Sequence, residues 1–114
     1  MSRSKIPGPL ERRHLIEREL APAQALKTAE AYLAEGRAIE AVEFLAKAED
    51  GERLQELRRE ALETGDLFLM RAVVDALGEA PDREEWLALA EAAEAAGKER
   101  YAADARRQAE RGGG

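Results

Sequence analysis

Hydrophobic residues recur along most of the chain at the three- and four-residue spacing that is typical of amphipathic helices. Gly36, Gly65 and Gly97 each follow one such segment and precede another, at spacings of 29 and 32 residues. Asp50-Gly51 and Gly78 mark further breaks between them. Because glycine adopts positive φ without strain, a glycine just past a helix commonly ends it. The short intervals therefore predict helices of about three to four turns.

We predict an N-terminal helix followed by three antiparallel helix pairs. The helix covers residues 9–20, and the pairs are 22–35 with 38–49, 52–64 with 66–77, and 82–96 with 98–110. Residues 9–111 are expected to form a single helical-repeat domain. Residues 1–8 and 112–114 are expected to be disordered.

The segment from residue 67 to residue 77 is apolar almost all round. Its polar exceptions, Arg71 and Asp75, lie one helical turn apart and define one narrow polar strip. A helix of this kind is normally buried, so the second pair is predicted to be central. Val73 is assigned to its core.

Composition supports the all-helical prediction and narrows the function. Aromatic residues make up only 4% of the chain, and the apolar positions are mainly alanine and leucine, which favour helix over sheet. The absence of cysteine excludes disulfides and thiolate metal sites. No apolar stretch approaches the roughly 20 residues that a membrane span needs, so a cytoplasmic protein is expected. The preference for alanine, and for arginine over lysine, suggests a GC-rich bacterial source.

The net charge of −6 is concentrated in the middle of the chain. Residues 21–96 carry eight basic and eighteen acidic side chains, whereas each end carries more basic than acidic ones. An acidic middle disfavours nucleic acid as a partner and is compatible with a basic protein surface.

The spacing of small and large residues resembles the tetratricopeptide repeat, in which small residues let two helices touch and large ones fill the gaps beside them. In the third pair the pattern is Trp86-x2-Leu89-Ala90-x2-Ala93, then Gly97 and Ala102; in the first it is Ala29-x2-Tyr32, Gly36, Ala41-x3-Leu45 and Ala48. The second pair departs from the pattern, with Leu57, Arg58, Ala61, Gly65, Met70 and Val74 in those positions. The resemblance implies that the pairs stack as a short right-handed α-α superhelix. Another α-α superhelix or a plain helical bundle is an alternative.

Candidate catalytic and metal-binding groups are few. Glu11-x-x-His14 has the spacing of a di-iron ligand pair, but it occurs once and the chain has no other histidine. The acidic pairs Glu49-Asp50 and Glu84-Glu85 are more typical of helix termini than of acid–base catalysis. No Ser-His-Asp set, Rossmann signature or P-loop is present. We therefore expect no enzyme activity, cofactor or metal, and we expect Trp86 to pack between helices.

The resemblance implies that the first helix of each pair lines a concave groove. It assigns to that surface Glu52, Gln55, Arg59 and Glu63 in the second pair, and Glu84, Leu87, Glu91 and Glu94 in the third. Such a surface is acidic with one apolar position, which suits a basic peptide or helix of another protein. It lacks the basic cluster with which many tetratricopeptide domains bind a C-terminal carboxylate. The alternative is a structural module that self-associates as a homo-oligomer.

Overall fold

The computed structural model describes residues 21–112, and this part of the chain contains six helices and no strand. The helices are α1 (Pro22–Ala34), α2 (Ala38–Lys47), α3 (Gly51–Thr64), α4 (Leu67–Leu77), α5 (Arg83–Ala95) and α6 (Glu99–Gly112). Every boundary lies within two residues of its predicted position. The predicted helix 9–20, and with it Glu11 and His14, lies outside the described residues, as do Gly113 and Gly114.

Consecutive helices pack as pairs, α1 with α2, α3 with α4 and α5 with α6. The all-α class and the division into helical hairpins are therefore confirmed. The chain divides into two compact units between Leu54 and Gln55, inside α3. The right-handed superhelix and the single domain of residues 9–111 stay predictions.

Helix ends are closed by residues with positive φ, mostly the predicted glycines. At the end of α1, Gly36 has φ of +73°, and the next backbone N–H, that of Arg37, donates to the Tyr32 carbonyl at 2.9 Å. Gly65 and Gly97 occupy the same position after α3 and α5. Each of these turns satisfies carbonyl groups that the last helical turn leaves without a partner.

The end of α2 differs from the prediction that Gly51 marks the break. Glu49 is the residue with positive φ there, at +56°, and the Asp50 N–H donates to the Leu45 carbonyl at 3.0 Å. Gly51 is instead the first residue of α3. The reason is local, because the Asp50 side chain accepts the backbone N–H of Arg53 at 3.1 Å and so caps α3. The left-handed residue must then precede Asp50.

The first unit is built around aromatic packing. Tyr32 of α1 and Phe44 of α2 are fully buried, and their rings stack with centroids 5.6 Å apart. Small buried residues, Ala25, Ala29 and Ala41, allow the two helices to approach closely.

The second unit has an aliphatic interior. Four side chains of α4 are buried, including Val73 as predicted, and they are joined by leucine and alanine side chains of α5 and α6. Trp86 is 9% exposed, which confirms that it packs between helices. The exposure of Phe68 on α4 was not predicted. Its side chain is 53% exposed and lies on the same side of the helix as Arg71 and Asp75. The exposed strip of α4 is therefore partly aromatic.

Candidate functional site

Two contacts in the second unit place α3 and α5 side by side. A Cβ atom built on Gly65 would lie 2.3 Å from the backbone nitrogen of Ala93, so only a glycine fits there. Nearer the starts of the two helices, Arg58 of α3 contacts Glu85 of α5. The contacts join residues 28 and 27 positions apart, so the two helices run in the same direction at a nearly constant offset. This arrangement positions the candidate site.

Arg58 is buried, although it occupies a position where the repeat pattern has a small residue. Its guanidinium donates to both carboxylate oxygens of Glu85, at 3.2 and 3.0 Å, and to the Glu79 carbonyl at 2.8 Å. The planar guanidinium fits such a two-oxygen acceptor, and these bonds compensate the charge for its lost hydration. Arg58 thus joins α3 to the start of α5.

Glu85 also caps α5. Its side chain accepts the backbone N–H of Asp82 at 3.0 Å, and the Asp82 side chain accepts the N–H of Glu85 at 2.8 Å, which completes the capping box. Asp50 and Glu85 each belong to one of the acidic pairs that were considered for acid–base chemistry. Their carboxylates therefore accept hydrogen bonds from backbone N–H groups at helix N-termini.

Four of the eight predicted partner-binding residues lie on α3 at three- and four-residue spacing. Glu52, Arg59 and Glu63 are exposed. Gln55 is half-buried, and its amide nitrogen donates to a carboxylate oxygen of Glu79 at 3.1 Å. Glu52 belongs to the first compact unit, and the other three belong to the second.

The other four predicted residues, Glu84, Leu87, Glu91 and Glu94, form one exposed row on α5. Leu87 is 38% exposed and is the apolar member of the row. Glu94 forms an ion pair with Arg106 of α6, which compensates part of its charge. The 28-residue offset between α3 and α5 aligns Arg59 with Leu87 and aligns Glu63 with Glu91. We call the residues Gln55, Arg59, Glu63, Glu84, Leu87, Glu91 and Glu94 the α3/α5 row.

The second helices of the last two pairs, α4 and α6, carry another set of exposed side chains. Phe68 and Tyr101 pack edge to face with ring centroids 5.3 Å apart, and the Lys98 ammonium lies 5.9 Å from the centre of the Tyr101 ring. Further along α4 a cleft of about 220 Å³ is lined by Arg71, Val74, Asp75, Trp86 and Gln108. The four-residue spacing of Arg71 and Asp75 indicated this strip, and its continuation by three residues toward the start of α4 reaches Phe68.

Neither metal binding nor membrane insertion is indicated by the described residues. Residues 21–112 contain no group of three His, Cys, Asp or Glu side chains that could hold a metal ion. In the same range, no helix has the length and apolarity needed to cross a membrane. The chain matches no protein-family model, no curated protein and no solved structure.

Proposed function

We propose that this chain is a non-catalytic protein-interaction module, a tetratricopeptide-like stack that binds a basic peptide or helix along the α3/α5 row. The observation that carries the proposal is the placement of four carboxylates and one exposed leucine on two helices that lie side by side. A bacterial, cytoplasmic setting is part of the same proposal.

The row suits a partner that combines basic and apolar side chains. An exposed ion pair contributes only about 0 to 1 kcal/mol, so no single carboxylate would hold a partner. Several pairs acting together, with an apolar side chain packed on Leu87, supply both attraction and contact area. Arg59, which is aligned with Leu87, disfavours a partner that is basic along its whole length.

At Glu94, a partner would compete with an ion pair that the free protein already forms. A basic partner that pairs with Glu94 must replace Arg106, which holds that carboxylate in the free protein. The replacement exchanges one exposed ion pair for another, so Glu94 contributes less affinity than Glu91.

Self-association is the alternative function, and the Glu94–Arg106 contact favours it. That contact shows that a carboxylate of the row and a basic side chain of α6 are complementary within one copy. The same groups from two copies would make similar pairs. Light scattering across protein and salt concentration separates the alternatives, because only self-association gives a salt-sensitive oligomer of the purified chain.

The test of the main proposal reverses charge in the row and compares it with an equal change elsewhere. Glu91→Lys with Glu94→Lys should abolish capture of a basic protein from a lysate of the source organism at low salt. Glu99→Lys with Glu110→Lys makes the same change in net charge at exposed positions of α6 and should preserve capture. Wild-type capture should also disappear at high salt. An unchanged set of retained proteins with the row variant would overturn the proposal.

A further inference from the structure

The exposed side of α4 and α6 is unlike the charged surface of the α3/α5 row. At one end, Phe68 of α4 is 53% exposed and is held edge-on against Tyr101 of α6. At the other end, Asp75 of α4 and Gln108 of α6 line the cleft that reaches Trp86. These two pairs of facing residues lie seven positions apart on both helices, so α4 and α6 run in the same direction with a groove between them.

The length of this α4/α6 groove follows from helix geometry. Seven residues of an α-helix span about 10 Å, which is also the distance between positions i and i+7 of a second helix. Phe68 and the cleft beside Trp86 therefore provide two apolar contact points at the spacing of one face of an amphipathic helix.

The charges along the groove differ between its two ends. Lys98 lies over Tyr101 at the aromatic end and forms no ion pair with any residue between 21 and 112. At the other end Arg71 and Asp75 both line the cleft, one helical turn apart, so their opposite charges largely offset each other. The uncompensated charge of the groove is therefore the Lys98 ammonium, which orients a ligand with its carboxylates toward the aromatic end.

We propose that the α4/α6 groove is a second docking surface, and that its occupant is an amphipathic helix of another protein. This helix presents apolar side chains at positions i and i+7, with carboxylates beside the first of them. The first apolar side chain packs on Phe68 and Tyr101, and the second enters the cleft beside Trp86. The proposal is independent of the α3/α5 row, which attracts the opposite charge.

Trp86 provides a local readout, because it is the only tryptophan of the chain and it lines the cleft. The probe is a synthetic helical peptide of about 15 residues with leucine at i and i+7 and glutamate at i−4 and i−3, beside the first leucine and away from the second. The control peptide has the same composition with its leucines at i and i+5, on different helix faces. Each peptide is titrated into the full chain while Trp86 emission is followed.

We expect a saturable shift of Trp86 emission with the first peptide and a response at least about tenfold weaker with the control peptide. Phe68→Ala should weaken binding by about tenfold or more, and Lys98→Glu should weaken it and reduce its salt dependence. Ile39→Ala truncates another exposed apolar side chain, on α2, and should leave binding unchanged. Glu91→Lys with Glu94→Lys should also leave it unchanged, which separates this result from the test of the row.

Three results would overturn the inference. The first is the absence of any saturable shift with wild-type protein whose far-UV spectrum is helical. The second is equal binding of both peptides, which would indicate nonspecific apolar contact. The third is dimerisation of the chain without peptide that Phe68→Ala abolishes, because it would assign the groove to a second copy.

Discussion

The two compact units bury their interiors in different ways. The unit that ends at Leu54 relies on a stacked aromatic pair, Tyr32 and Phe44, with alanines beside it. The unit that starts at Gln55 brings backbones into contact at Gly65 and adds a buried guanidinium, that of Arg58. Close backbone contact and a two-oxygen hydrogen bond both require one alignment of α3 with α5.

Val73→Asp should have the largest effect, because it places a charge without a partner in the aliphatic interior of the second unit. Val73 is fully buried, and an uncompensated charge there costs several kcal/mol, comparable to the whole stability of a small domain. We expect loss of cooperative thermal unfolding and of most far-UV helical signal. Ala88→Asp adds the same charge at an exposed position of α5, and this variant should unfold cooperatively, as the wild-type protein does. A wild-type melting temperature for Val73→Asp would refute this account of the core.

Gly65→Ala should have the next largest effect, and Gly36→Ala is its matched control in the first unit. Both glycines have similar positive φ, +69° and +73°, so alanine costs about 1 kcal/mol of backbone strain at either position. A Cβ atom at Gly36 meets open space, whereas one at Gly65 meets the backbone of Ala93. We therefore expect Gly65→Ala to cost about 2 kcal/mol more than Gly36→Ala.

Urea unfolding of the two glycine variants, followed by circular dichroism, gives the difference directly from the midpoints. Equal midpoints would show that α3 and α5 are not in backbone contact. That result would also remove the alignment on which the α3/α5 row is built.

Tyr32→Phe should have the smallest effect and the opposite sign. The Tyr32 hydroxyl is buried and has no hydrogen-bond partner within the described residues. A buried polar group without a partner costs about 1 to 3 kcal/mol, and its removal keeps the ring stacked on Phe44. We expect the free energy of unfolding to rise by about 1 kcal/mol, measured by urea unfolding. A decrease in the free energy of unfolding would contradict the conclusion that the buried hydroxyl destabilises the folded protein.

Helix positions were predictable because their signals are local. Capping residues and apolar periodicity act within one or two turns, and they placed both ends of all six helices within two residues. The exposure of the acidic side chains assigned to the α3/α5 row follows from the same periodicity. Glu49 shows where a local rule failed, since the N-cap role of Asp50 displaced the left-handed residue from the expected glycine.

The sequence by itself determined the all-helical class, the positions of the helices and the exposure of the carboxylates in the α3/α5 row, because each depends on residues within about four positions of one another. Only the tertiary structure decided that Arg58 is buried against Glu85, that Gly65 touches Ala93, and that Phe68 is exposed beside Tyr101. Each of these contacts joins helices that are about 27 to 33 residues apart in the chain. Their formation depends on how neighbouring pairs align, which no pattern within one helix specifies.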